Sequence, residues 1–139
     1  MLFRSSSWAR RVSFFADVPH AGARRFQTEF LEKHILLADR YLYDTLADTL
    51  YKEDGQWLFA EFGLKMIPQP DLPVFVQVAP EEAFRRKCEY PLDYLKWRDQ
   101  TYGKIFSKIP GALVIQNIDL EKSQRILASA VLAKLERKK

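Results

Sequence analysis

H-I-L-L-A-D-R-Y-L-Y-D-T-L-A-D-T-L, residues 34–50, is the stretch on which the reading of this chain turns. Its apolar run, Ile35, Leu36, Leu37 and Ala38, ends abruptly at an acid-base pair, Asp39 and Arg40. Leu42, Leu46 and Leu50 then recur at i, i+4, i+8, which marks one face of a helix over residues 41–51. A strand buried on both faces reads as a continuous apolar run, and open α/β sheets bind ligands beyond the carboxyl ends of such strands. The stretch is therefore expected to run strand, charged crevice, helix.

Two more runs have the same character. L-P-V-F-V-Q-V-A (72–79) is rich in β-branched residues and bounded by Pro70 and Pro80, and A-L-V-I-Q-N-I (112–118) follows the Pro110-Gly111 turn. Helical patterns separate them. Residues 57–66 form one, and a second starts at Pro80 with Glu81 and Glu82 in its first turn, where the helix dipole favours acids. Residues 93–107 form a third, and residues 120–135 a fourth, capped by Asp119 and expected to turn Ile126, Ala130 and Ala133 inward. Tyr90, Tyr94, Trp97 and Tyr102 are read as packing of an amphipathic helix rather than as a base-stacking platform. Strands alternating with helices predict an α/β fold built on a parallel sheet.

With 139 residues and 47% hydrophobic content the chain can build one core, so a single domain over 1–139 is expected. No apolar run approaches the roughly 20 residues that cross a bilayer. The charge balance of +4 includes the terminal Arg137, Lys138 and Lys139, and the other positives are dispersed among acids, so no nucleic-acid partner is expected. A lone cysteine, Cys88, excludes an internal disulfide and cysteine-cluster zinc sites, and His20 and His34 lack metal-ligand spacing. The opening sixteen residues are rich in Arg and Ser with no acid before Asp17. That composition suits a mitochondrial transit peptide; the alternative adopted here is a helical or poorly ordered stretch, 1–32, of a longer cytoplasmic domain whose start is missing.

Three segments together resemble the thymidylate kinase-like family of P-loop nucleotide kinases. I-L-L-A-D-R-Y-L-Y-D-T-L-A-D looks like the family's strand-D-R-Y-helix element. P-D-L-P-V-F-V-Q-V-A-P-E-E-A-F-R-R-K resembles its strand leading into a P-E-x-A-x-x-R helix, and A-L-V-I-Q-N-I-D is similar to its final strand. The resemblance covers residues 33–136 and implies a three-layer P-loop kinase-like parallel sheet flanked by helices. It implies phosphoryl transfer from ATP to a nucleotide such as dTMP, with Mg2+ bridging the phosphates. On this resemblance Arg40 binds the acceptor's 5′-phosphate, Asp39 lies close to the metal, and Arg86 faces the phosphates from the lid. Thr45 and Asp48 then line the acceptor pocket, and a homodimer is possible.

The chain departs from that pattern. Its five glycines, at 22, 55, 63, 103 and 111, cannot form G-x-x-x-x-G-K-[ST], so the first strand and the P-loop are expected to be missing. This is the pattern of a fragment, a truncated gene model or a degenerate paralogue. Asp48 stands where the family has a tyrosine, and Gln77 where it often has an acid. Alone, the chain is expected to be inactive as a kinase. The alternative is a degenerate, non-enzymatic kinase-like domain acting through protein-protein contacts.

Overall fold

The computed structural model describes residues 7–31, 35–51 and 57–137, and its chain divides into two compact units, Met1–Pro68 and Gln69–Lys139. The first unit contains α1 (Ser7–Phe26), a π-helical turn continuing it (Gln27–Leu31), α2 (Leu42–Thr49) and α3 (Trp57–Met66). The second runs β1 (Val74–Gln77), α4 (Pro80–Lys87), α5 (Leu92–Ser107), β2 (Leu113–Gln116) and α6 (Leu120–Glu136).

The core of the first unit is built on Phe14, Leu46, Ala47 and Ala60, all fully buried. Leu42, Leu46 and Leu50, which their spacing puts on one face of α2, are all buried. Phe14 meets Phe15 and Phe59 edge-on, with ring centroids 5.6 and 6.1 Å apart. Gly63 lets α3 come close at this point. A Cβ there would stand 2.8 Å from Leu46 Cδ1 and 3.2 Å from Phe14 Cζ, so any larger residue forces the core to shift.

In the second unit the two strands pair in parallel, with Val74 opposite Leu113 and Gln77 opposite Gln116. A parallel pair needs a long crossover, and α4 and α5 supply it. Phe75 stacks on Tyr102 and Phe106 of α5, with centroids 5.4 and 5.2 Å away. Ile105, Ile109 and Ile115 are buried in the same unit. Pro80 occupies the first turn of α4, where its missing N–H costs nothing. Asp119 caps α6 by accepting a hydrogen bond from the Lys122 N–H at 2.9 Å.

The expected three-layer sheet is not what forms. The described residues are mostly helical, and their sheet has two strands. Residues 35–38 carry no regular secondary structure, and Ile35 and Leu37 are 64% and 84% exposed. A short apolar run becomes a strand only when neighbouring strands take up its backbone groups, and no described strand lies beside this one. The inward face expected for α6 is also corrected. Ile126 and Ala133 are exposed and Ala130 is half-buried, while Ser123 is buried instead. A sheet two strands wide gives a long helix little to pack on.

Candidate functional site

The D-R-Y element joins residues 35–38, which carry no regular secondary structure, to α2. Asp39 and Arg40 are both exposed, and Arg40 adopts a left-handed backbone with φ 57°. That conformation costs a non-glycine residue about 1–2 kcal/mol. The expected placement at the carboxyl end of a strand fails with the strand itself. Tyr41 is the residue of the three that is tied into the structure. Its hydroxyl donates to the Pro68 carbonyl at 2.7 Å, just past the end of α3, and burial raises its pKa.

Along α2, Thr45 is half-buried and Asp48 exposed, and their spacing of three puts them on the same outward side. The helix's other face is given over to packing. Tyr43 is buried there, its ring 5.5 Å from that of Tyr41, and Thr49 Oγ1 donates to the Leu46 carbonyl at 2.6 Å.

Burial first, then the neighbouring Tyr41, pushes the Tyr43 pKa up from 10.0 to about 12. A raised tyrosine pKa means the folded state holds its proton longer than the unfolded state does. The stabilisation is therefore complete below pH 10 and is lost as pH rises through about 12. Alkaline titration followed by circular dichroism should show stability falling over that window. Tyr43→Phe should flatten the fall, and an unchanged slope would contradict the assignment.

Arg86, in the second unit, is held by its own helix. Its Nε donates to Glu82 Oε1 at 2.8 Å, while Arg85 Nε and Nη2 donate to Glu82 Oε2 at 2.9 and 2.6 Å. These bonds, Arg86's first, hold the Glu82 carboxyl below the usual range. Glu81 is likewise lowered, by its own backbone N–H and then by Lys96, whose Nζ lies 3.3 Å away. This arrangement is an exposed, ion-paired helix face. Cys88 follows at the helix end, exposed and left-handed at φ 52°.

Two polar arrangements on α5 escaped the reading of the sequence. Gln77 Nε2 donates to Asp99 Oδ1 at 2.9 Å, tying the end of β1 to the helix. Arg98 donates to the hydroxyls of Tyr94 and Tyr102, each at 3.2 Å, and its guanidinium lies 5.4 Å from the Tyr102 ring centroid. The i, i+4, i+8 spacing of Tyr94, Arg98 and Tyr102 could have announced the second arrangement. Tyr102 is buried and Tyr94 and Trp97 are half-buried, so this aromatic row serves packing for much of its length.

The residues do not fit the magnesium ion and ATP that the resemblance implies. A cation site needs several oxygen donors brought together, and no group of three or more His, Cys, Asp or Glu side chains is so placed among the described residues. Asp39 is an exposed carboxylate that belongs to no such group among the described residues, and the sequence has no P-loop motif to cradle phosphates. No described helix is long and apolar enough to cross a membrane. Compared with family profiles, curated proteins and solved structures, the chain matches none.

Proposed function

We propose that this chain works through protein contacts rather than through phosphoryl transfer. The observation carrying this reading is the outer stripe of α3: Leu58, Phe62 and Met66, at i, i+4, i+8, are 82%, 56% and 40% exposed. Phe15 of α1, also exposed, extends the stripe, its ring centroid 6.5 Å from that of Phe62. Contiguous apolar surface of this kind marks interaction sites, and an i, i+4, i+8 row suits the groove or helix of another protein.

The test uses a photo-activatable residue in place of Leu58 in the full chain, irradiated in cells. The expected result is a small set of protein adducts that the added change Phe62→Glu abolishes. Diffuse labelling that Phe62→Glu leaves unchanged would overturn the reading.

A second reading, nucleotide binding, keeps one observation in its favour. Two of the three segments that resemble the kinase family fold as adjacent parallel strands linked by helices and followed by a terminal helix. It makes a different demand on the same protein. Calorimetric titration with dTMP should show saturable binding that Arg40→Lys weakens, since a point charge replaces a planar two-toothed donor at phosphate. The protein-contact reading expects no such binding, and no ATP-dependent turnover in a coupled ADP-release assay.

A further inference from the structure

We propose that the outer edge of β1 pairs antiparallel with the same edge of a second copy of this chain, about a two-fold axis through Val76. The ladder fixes which groups are available. Leu113 N–H donates to the Pro73 carbonyl at 2.9 Å and Asn117 N–H to the Gln77 carbonyl at 2.8 Å. Residues 73, 75 and 77 therefore turn their backbone groups toward β2, and by alternation Val74, Val76 and Val78 turn theirs outward. The sheet has the order β1-β2, so no described strand takes up that outer row.

The two edges of the sheet are not equivalent. On β2 the Gln116 carbonyl already accepts from the Ile118 N–H at 3.0 Å, and the Ala112 N–H donates to Ile109 at 3.3 Å. Local turns thus close both ends of the β2 edge. On β1 nothing comparable engages Val74, Val76 or Val78 among the described residues. Nor does the β1 edge, short as it is, carry the charges or prolines that commonly blunt such edges. Residues 74–78, V-F-V-Q-V, contain no charge and no proline, while Pro73 and Pro80 bracket the run.

A second copy is the occupant this edge fits. The valines of V-F-V-Q-V fall at the same places read in either direction. An axis through Val76 sets Val76 against Val76 of the second copy and Val74 against Val78 of the second copy. Each of these pairs exchanges both backbone hydrogen bonds, because each residue is one whose groups point outward. Their side chains share one sheet face, opposite the Phe75 face that α5 covers. Val76, at the centre, is 48% exposed before pairing. The product is an isologous sheet ordered β2-β1-β1′-β2′, antiparallel at its middle, a mixture that larger sheets commonly contain.

Sedimentation of the full chain over a concentration series should show a reversible dimer. Val76→Lys puts like charges directly across the axis and should weaken the dimer roughly tenfold or more. Val114→Lys changes a side chain equally exposed, at 49%, on the other strand and should leave the dimer intact. A second arm guards against a variant that fails to fold. In a Cys88→Ser background, Val76→Cys should form an intermolecular disulfide under mild oxidation, since paired positions at the axis lie about 5.5 Å apart in Cα. Val114→Cys should not. A chain that stays monomeric, a dimer indifferent to Val76→Lys, or cross-linking at 114 as readily as at 76 would each overturn the proposal.

Discussion

Phe14→Ala is expected to cost the first unit about 3–5 kcal/mol, the range for removing a fully buried aromatic ring. Phe14 is completely buried, with its ring edge and Leu46 both close to the place a Cβ would take at Gly63, and its edge-on contacts with Phe15 and Phe59 go with it. Such a loss is a large part of the stability of a small domain, so α1, α2 and α3 should loosen together. Hydrogen exchange is the direct readout: amides of α2 and α3 should lose protection along with those of α1. Loss confined to α1 would mean that Phe14 does not tie the three helices into one core. The site has an internal check, because Gly63 has no side chain with which to refill the space. A cavity should remain, and the cost should lie toward the upper end of the range.

Ile105→Ala is the corresponding expectation for the second unit, at about 2–5 kcal/mol. Ile105 is fully buried on α5, one turn from Tyr102 and beside Phe106, the two rings that stack on Phe75 of β1. Ile105→Val removes one methylene and should cost only about 0.5–1.5 kcal/mol, with the stacking intact. Urea denaturation of both variants measures the pair. Near-equal midpoints would show that the helix is held to the sheet by the aromatic stack alone, and that Ile105 contributes little.

The two cores separate features that neighbours in sequence decide from those that distant segments decide. Helix positions were legible because their causes are local. The Leu42, Leu46, Leu50 row, the first-turn Pro80, and the Asp119 cap each act over a few residues, and each appears where the sequence put it. Strands near 74–77 and 113–116 in a parallel sheet are also expected, since both runs are apolar, β-branched and bounded by turn residues, but that the two pair directly with each other is decided by the fold.

The candidate site was legible only as chemistry. Asp39, Arg40 and Arg86 are residue types suited to phosphate and metal, but type does not fix surroundings. Arg86 is held by Glu82 on its own helix, and Asp39 and Arg40 stand exposed beyond a segment that forms no strand. Tyr41 was read as part of a motif, and its bond to the Pro68 carbonyl gives it a different task, closing a loop across the end of α3.

The sequence by itself determined the helices, the Asp119 cap and the positions of the two strands, all of which depend on short-range sterics, dipoles and residue identity. Only the tertiary structure decided that residues 35–38 stay out of a sheet and that α3 and α6 keep apolar side chains in solvent. It also left the outer edge of β1 without a partner strand among the described residues. A strand needs partner backbone beside it and an apolar stripe needs a surface of matching width. Neither requirement is written in the segment that carries it.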